Sequence, residues 1–235
     1  MNRLELSEVS YRYPKNNRDV FSGINLSFHS GKVYCVIGES GAGKSTLLKI
    51  ISGLIKPDTG TMRYNDQIVS NYEEYRRNTV SSIFQDYLLF PNRTVLENVM
   101  YPLALNGENK QDQITKAKQY LEKVNLPEEL FDKYPDEISG GEQQRVAIAR
   151  CLSTNSEIIT ADEPTGNLDY RNAAEVIDLL MDLAHSNGKI IVIVTHDLSI
   201  AEKCDECYEL RYGRLLPQEM NNCIYTLGGK NRDES

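Results

Sequence analysis

The sequence predicts an α/β fold with a mixed central sheet, an N-terminal antiparallel β-subdomain and an inserted α-helical subdomain. The N-terminal segments RLELSEVSYRY and INLSF alternate apolar and polar residues, as half-buried antiparallel strands do. From about residue 86 to 155 the pattern is mainly helical, with prolines at its breaks. Beyond it, the apolar runs EIITAD and KIIVIVTHD flank an amphipathic helix that ends near Gly188. This strand, helix, strand order favours a parallel sheet.

The remaining elements follow from short local patterns. KVYCVIG is a brief apolar run, typical of a strand covered on both faces, and TVSSIFQ predicts a further strand. TMRYNDQIV predicts a hairpin that turns at Asn65-Asp66. We expect one domain over 1–216, with the helical insertion at about 86–155, and a loosely docked or mobile tail over 217–235, where no periodicity is strong.

Composition and charge exclude several function classes. The chain has 235 residues and a formal net charge of −8, with no basic run, which argues against a nucleic-acid partner. The N-terminus MNRLELSEVS lacks the layout of a signal peptide, and no apolar stretch approaches the ~20 residues that span a bilayer. These features predict a cytoplasmic location.

Five cysteines without regular spacing suit a reducing compartment. Cys204 and Cys207 form a C-x-x-C pair, which leaves three interpretations open: incidental thiols, a redox pair or a metal site. A zinc site needs four ligands, and the sequence offers neither a second pair nor a nearby histidine. Incidental thiols are therefore the favoured interpretation.

The segment VIGESGAGKSTLLKII predicts a phosphate-binding loop. Gly38, Gly43, Lys44 and Ser45 fit the pattern G-x-x-x-x-G-K-[ST] between a strand and a helix. The glycines let successive N–H groups face one anion at a helix N-terminus. Lys44 is expected on the β- and γ-phosphates, Ser45 on Mg²⁺ and Thr46 near the α-phosphate. A plain tight connection is the alternative, but it does not require the full eight-residue pattern.

Two acids follow the strand EIITAD. We expect Asp162 to orient Mg²⁺ and Glu163 to polarise the attacking water as a general base. The alternative makes both acids the N-cap and first turn of the following helix, an arrangement that Pro164 would suit. That alternative explains one acid, and it leaves the second one, next to a phosphate-binding loop, unexplained.

Two further polar residues follow strands and are weak signals when taken singly. His196 comes after IVIVT, where a neutral imidazole could contact the catalytic water or the γ-phosphate. Gln85 comes after SSIF, where its amide could ligate Mg²⁺ and contact water. A surface residue is the ordinary interpretation of each, and only their position at strand ends beside the phosphate-binding loop favours a function.

ISGGEQQRVAIARCL supplies a second possible anion site. A serine and two glycines open a helix, and the positive end of its dipole would attract phosphate. One nucleotide could use both loops only if they face each other across an interface. A simple Ser139 N-cap with Glu142 as the N3 acid also explains the local sequence, but not the paired glycines.

Taken together, these motifs resemble the ATP-binding subunit of an ABC (ATP-binding cassette) transporter, over roughly residues 1–216. The family thus implies a P-loop NTPase fold. GESGAGKST corresponds to Walker A, SGGEQ to the signature, ITADE to Walker B and GNLD to the D-loop. Tyr13 would be the A-loop aromatic that stacks on adenine, with Tyr11 as the fallback. Ile138 replaces the leucine usual before SGG, a conservative departure.

Residue by residue, the resemblance implies a binding set and a catalytic set. The residues expected to bind ATP are Tyr13, Gly38, Glu39, Ser40, Gly41, Ala42, Gly43, Lys44, Ser45, Thr46, Gln85, Ser139, Gly140, Gly141, Glu142 and Asp169. Catalysis would involve Glu163, His196, Lys44 and Gln85, and Ser45, Gln85 and Asp162 would serve Mg²⁺.

The family also implies partners: a second copy of the chain or a homologous ATPase, and an integral membrane permease subunit on whose cytoplasmic side the protein would lie.

The segments FQDYLLFPNRTVLENVMYPL and ADEPTGNLD are similar to the branch of macrolide exporters, lipoprotein-release ATPases and antimicrobial-peptide resistance systems. That branch implies a transporter or a mechanotransmission complex, for export of, or resistance to, a peptide, antibiotic or lipid-linked substrate. Two rivals are a soluble ATPase of the same superfamily and a nucleotide-gated scaffold of the cell-division type with little turnover. The first usually carries tandem cassettes or coiled-coil insertions, and the second need not keep both Glu163 and His196.

Overall fold

The computed structural model describes residues 1–14 and 18–218. The strands are β1 Arg3–Tyr13, β2 Arg18–His29, β3 Lys32–Ile37, β4 Thr59–Tyr64, β5 Gln67–Ile68, β6 Val80–Ile83, β7 Ile158–Asp162, β8 Ile190–Val194, β9 Glu206–Arg211 and β10 Arg214–Gln218. The α-helices are α1 Lys44–Ile51, α2 Tyr72–Asn78, α3 Val95–Leu105, α4 Lys110–Lys123, α5 Gly140–Ser153, α6 Tyr170–His185 and α7 Leu198–Ala201. Short 3-10 turns occur at Glu128–Leu130 and Pro135–Glu137.

The strands form two sheets. Four make an antiparallel sheet in the order β2-β1-β4-β5, and six make a central sheet in the order β10-β9-β3-β8-β7-β6. Strands β9, β3, β8, β7 and β6 run parallel, and β10 is antiparallel to β9. The predicted mixed sheet and antiparallel subdomain are confirmed.

The central sheet is buried on both faces, as its apolar runs predict. Along β3, Val33, Cys35 and Ile37 face a core shared with α3 to α6, whereas Tyr34 and Val36 face a second core shared with α1 and the antiparallel sheet. This alternation is the period of two that a strand imposes. The sheet therefore holds the carboxyl ends of β3, β7 and β8 in one rigid row.

The hairpin between β4 and β5 turns where the sequence places it. Asn65 and Asp66 both have positive φ, at 48° and 63°. Two consecutive residues in this region make the type I′ turn that matches strand twist, and Asn and Asp tolerate it better than most residues.

Helices α3, α4 and α5 pack on one another within the predicted insertion. Helix α3 begins with a capping box in which Thr94 and Glu97 satisfy each other's backbone N–H groups. Asn98 is fully buried and accepts from the Phe90 N–H while its amide donates to three carbonyls of the preceding loop, those of Phe90, Arg93 and Thr94. The loop that leads from Gln85 into the insertion is thereby held in place.

Four elements lie outside the sequence prediction: α2, α7, β9 and β10. Strand β10 extends to Gln218, with Pro217 paired to Tyr208 of β9. The tail expected over 217–235 thus starts inside a strand, and its residues 219–235 lie outside the described part of the chain. Among the helices that the structure describes, none combines the length and apolarity needed to cross a bilayer.

The fold adds a third cysteine to the C-x-x-C pair. Cys35 of β3 is the direct register partner of Cys207 of β9, and both are buried with Cys204. Hydrogen bonding of the Cys35 S–H to the sulfurs of Cys204 and Cys207, together with burial, raises the pKa of the Cys35 thiol. Within residues 1–14 and 18–218, no group of three or more His, Cys, Asp or Glu side chains is arranged to hold a metal ion.

Candidate functional site

A cavity of about 790 Å³ opens at the carboxyl end of the central sheet. Its walls are residues 39–46, the side chains Gln85, Asp162 and Glu163, the aromatic Tyr13 with residues 19–22 of β2, and residues 212–214 of the β9–β10 turn. The volume lies within the range of small-molecule sites. The fold thus gathers into one cavity groups that six separate sequence segments contribute.

The loop between β3 and α1 wraps the floor of this cavity. Gly43 is the N-cap of α1 with φ 105°, and a Cβ added there would lie 2.5 Å from Val20 Cγ1. At Gly38 a Cβ would lie 2.5 Å from the Leu210 carbonyl oxygen. Both positions therefore require glycine. The Lys44 Nζ donates to the carbonyls of Gly38 at 2.8 Å and Glu39 at 3.2 Å.

Asp162 at the end of β7 lies beside Ser45 at the start of α1. The Ser45 hydroxyl donates to Asp162 Oδ1 at 3.1 Å. Burial raises the pKa of the Asp162 carboxyl, and Glu163 adds to the rise. One wall of the cavity thus carries a hydroxyl, a carboxylate and an amide, from Ser45, Asp162 and Gln85. Each of these groups has an oxygen atom, the ligand that a hard cation such as Mg²⁺ prefers.

Glu163 lies between two residues that follow β8. Its Oε2 accepts from the Thr195 hydroxyl at 2.8 Å, and its Oε1 lies 2.9 Å from His196 Nδ1. Glu163 has φ 46°, an uncommon conformation for a glutamate. The following helix begins only at Tyr170, with Asp169 as its N-cap, so the interpretation of Asp162 and Glu163 as capping acids is wrong.

Gln85 lines the cavity just beyond β6. Its backbone carbonyl accepts from the Asn167 side-chain amide at 3.2 Å. A Cβ on Gly166 would lie 3.4 Å from Gln85 Nε2, so the segment after Glu163 runs directly against Gln85. The side chain is positioned between the cavity and the entry to the helical insertion.

Tyr13 rather than Tyr11 reaches the cavity. Tyr13 is 40% exposed, lines the wall and shares a hydrogen bond of 2.9 Å with the Thr46 hydroxyl. Tyr11 packs edge-on against it, with ring centroids 5.2 Å apart. The geometry favours Tyr13 as the aromatic that faces a base.

The SGGEQ segment lies away from this cavity. Ser139 is the N-cap of α5, and its hydroxyl and backbone N–H both donate to the Glu142 carboxylate at 2.7 Å. A Cβ on Gly141 would lie 3.3 Å from the Asn172 side chain. The amide of that side chain donates to the Asp169 carboxylate at 2.6 Å. Six residues that the sequence predicts at the nucleotide lie outside the cavity wall as the described residues form it: Ser139, Gly140, Gly141, Glu142, Asp169 and His196.

Some residues of the cavity wall escape sequence reasoning. Asp19, Tyr212 and Arg214 line it, although no motif includes them. The one sequence signal for the β9–β10 turn is the pair Tyr212-Gly213, which lies between two segments that alternate apolar and polar residues.

Comparison with known proteins identifies the family. A family model described as ABC transporter matches residues 21–166. The chain belongs to the ABC transporter family. It is 39% identical to an uncharacterized ABC transporter ATP-binding protein of Mycobacterium tuberculosis over 227 residues, which cover 92% of this chain and 91% of that protein. It is also 39% identical to a lipoprotein-releasing system ATP-binding protein, LolD 1, of Rhodopirellula baltica, over 91% of this chain and 96% of that protein.

Solved structures of ABC cassettes are similar to this ABC-family chain throughout. The dimeric ATP-binding cassette MJ0796, bound to ADP and Pi in a post-hydrolysis state, has a TM-score of 0.86 and 31% identity, covering 93% of this chain and 99% of that one. The cassette cbiO1 of Clostridium perfringens, part of the transporter complex cbiONQ, has a TM-score of 0.81 and 30% identity, covering 91% and 86%. The predicted fold class, family and ATPase reaction class are confirmed.

Proposed function

We propose that this ABC cassette binds and hydrolyses ATP as a head-to-tail dimer whose two active sites each combine residues from both subunits. The observation that carries the proposal is the separation of two anion-binding segments. The P-loop lines the cavity with Asp162 and Glu163, whereas Ser139 and Gly141 lie outside it. A second subunit can bring its own Ser139 segment over the open cavity, and the dimer of the similar cassette MJ0796 with ADP and Pi supports this arrangement.

The chemistry that we propose is positioning combined with charge stabilisation. The P-loop amides and Lys44 would hold the β- and γ-phosphates, and Tyr13 the adenine. Glu163 would orient the attacking water and accept its proton, while His196, hydrogen-bonded to Glu163, would contact the γ-phosphate. Asp169 and the partner's Ser139 segment would close the site.

A divalent cation belongs in the same proposal. Ser45, Asp162 and Gln85 fit Mg²⁺ because they present oxygen atoms at one wall of the cavity. Bound there with ATP, Mg²⁺ would neutralise charge on the β- and γ-phosphates. Few protein ligands are needed, since Mg²⁺ keeps several waters and takes oxygens from the phosphates.

The proposed physiological role is to drive a separate integral membrane subunit from the cytoplasmic face. The surface that would receive that subunit is the loop from Gln85 to α3. There Phe90 and Tyr101 stack edge-on at 4.8 Å, and Arg93 lies over both rings. The proposed substrate is an exported peptide, antibiotic or lipid-linked molecule, and the similarity to lipoprotein-releasing system ATP-binding proteins supports the lipid-linked class.

Mixing two inactive variants tests the composite site. Lys44→Ala removes the phosphate grip of its own P-loop, and Ser139→Arg blocks the segment that serves the partner. A mixed dimer collects both lesions in one site and leaves the other site intact, so phosphate release should reappear, up to roughly half the wild-type rate per mixed dimer if sites act independently. The membrane subunit is included if the cassette alone dimerises too weakly.

The matched control is a mixture of Lys44→Ala with Asp162→Asn. Both lesions then fall on the P-loop half of a site, so each site of the mixed dimer keeps one lesion and no activity should return. Absence of rescue in the first mixture, with mixed dimers confirmed by two different tags, would overturn the head-to-tail arrangement.

A further inference from the structure

We propose that Tyr212, at the tip of the β9–β10 hairpin, is a second aromatic contact for the nucleotide base, in addition to Tyr13. The inference rests on the proposed ATP site and adds to it a residue that no sequence motif indicates. Three properties of Tyr212 support it: its position on the cavity wall, its backbone conformation and the exposure of its ring.

The position of Tyr212 is fixed by contacts of its turn. Tyr212, Gly213 and Arg214 line the same cavity as Tyr13 and residues 19–22 of β2. The Ser22 N–H donates to the Gly213 carbonyl at 3.2 Å, and a Cβ on Gly213 would lie 3.2 Å from the Val20 carbonyl oxygen. The turn therefore packs closely on β2. The antiparallel sheet, which includes Tyr13, forms this part of the cavity wall.

The backbone of the turn does not favour tyrosine. Tyr212 and Gly213 have φ of 49° and 72° between two paired strands, the pattern of a two-residue type I′ turn. Asn, Asp or Gly usually occupies the first position because a bulky side chain strains this conformation. Turn formation therefore does not explain why position 212 carries an aromatic ring.

Packing does not explain the ring either. Tyr212 is 89% exposed, the highest exposure among the tyrosines that the structure describes. Its only described ring neighbour is the Arg211 guanidinium, 5.2 Å from the ring centroid and over one face. The other face is available to a base, and base–aromatic stacking tolerates any base because every base has a π-face. Tyr212 would thus add affinity for nucleotides without choosing among them.

Fluorescence provides a direct test because the chain contains no tryptophan. Tyr212→Trp introduces a single indole at the tip of the turn. We expect ATP to quench its emission by stacking and inorganic tripolyphosphate, which has no base, to leave it unchanged. Tyr134→Trp is the matched control, since Tyr134 is also exposed and does not line the cavity. Equal responses to ATP and tripolyphosphate would overturn the proposal, because the indole emission would then respond to phosphate binding at the P-loop and not to stacking of the base.

Binding measurements separate stacking from a structural role of the turn. Tyr212→Asn supplies a residue that suits the turn, so the thermal midpoint should stay the same or rise. The dissociation constant for ATP should nevertheless increase, by roughly five- to tenfold, the low end of base–aromatic contacts. The constant for tripolyphosphate should not change. An unchanged ATP constant in Tyr212→Asn would refute the Tyr212 contact, whereas failure of the wild-type protein to bind ATP would refute the proposed function itself.

Discussion

Glu163 and His196 are joined by a hydrogen bond of 2.9 Å, although they follow two different strands of the central sheet. Glu163 is held from the other side by the Thr195 hydroxyl, so its side chain is only 15% exposed, whereas that of His196 is 75% exposed. One carboxylate is thus fixed in orientation while its imidazole partner remains open to a ligand.

Glu163→Gln should abolish turnover while nucleotide binding survives. Glutamine keeps the size of the side chain and can still accept from Thr195, but it cannot take a proton from water. General-base contributions are typically 10²- to 10⁴-fold, and we expect phosphate release to fall by at least the lower figure. Size-exclusion chromatography with ATP and Mg²⁺ should show a nucleotide-bound dimer that accumulates. Hydrolysis at the wild-type rate would remove Glu163 from the proposed mechanism.

His196→Ala should slow hydrolysis by roughly a hundredfold or more, the loss typical when one group that stabilises developing charge is removed, and leave ATP affinity nearly unchanged. His185→Ala is the matched control, since His185 also pairs with a carboxylate, that of Asp205 at 3.0 Å, but at the end of α6 outside the cavity. The control should keep its turnover. Equal losses in both variants would show that the effect of His196 is a general one on stability.

Asp162→Asn should inactivate the enzyme and at the same time stabilise the nucleotide-free protein. Burial raises the pKa of Asp162 in the folded state, so ionisation of this carboxyl favours the unfolded state. Its contribution to stability is full below the unfolded pKa and is lost as the pH rises through the folded one. At neutral pH the variant should therefore melt higher, on the order of a few degrees, in differential scanning calorimetry without Mg²⁺.

The advantage of Asp162→Asn should disappear on acidification, because below the usual aspartate pKa the native carboxyl is protonated as well. An equal difference in melting midpoint at pH 4 and pH 7 would contradict this assignment of the stability effect to ionisation.

Tyr13→Ala should weaken ATP binding more than Tyr13→Phe does. Alanine loses the stacking surface, worth ~1–3 kcal/mol by analogy with other base–aromatic contacts. Phenylalanine keeps the ring and loses only the hydrogen bond to Thr46, with a net value of about 0.5–1.5 kcal/mol. Isothermal titration of ATP into each variant measures the loss of binding, and the thermal midpoint measures the stability lost with the hydrogen bond to Thr46. A larger loss from Tyr11→Ala than from Tyr13→Ala would mean that the base lies against the other tyrosine.

The sequence predicts those parts of the site that depend on local chemistry. The P-loop is recognisable because only glycine tolerates the close approaches at residues 38 and 43, and a strand must precede it. Asp162 and Glu163 are recognisable because β7 and β8 are continuous apolar runs that end in polar residues. These signals need no knowledge of how distant segments pack.

Other parts depend on tertiary contacts that leave no local trace. Helix α2 buries only Tyr75, so its periodicity is weak. Strand β9 has only two fully buried residues, Cys207 and Leu210, and β10 lies at the sheet edge, where Pro217 is tolerated. Cys35 meets Cys207 only through the parallel register of β3 and β9, across 172 positions of sequence that no spacing rule spans. Tyr212 likewise reaches the cavity because its turn docks on β2.

The two hydrogen bonds from Lys44 to the carbonyls of its own loop have a thermodynamic consequence. They hold the curl of the loop as part of the folded protein, so the ordering of its backbone, about 1–2 kcal/mol per residue, is settled during folding and not during ligand capture. An incoming triphosphate would take the place of these carbonyl oxygens around the same ammonium, in a loop whose curl is already formed. Binding at this end of the cavity would therefore cost little backbone entropy, whereas the exposed Tyr212 ring would have to become fixed on the base and would carry more of the entropic cost of binding.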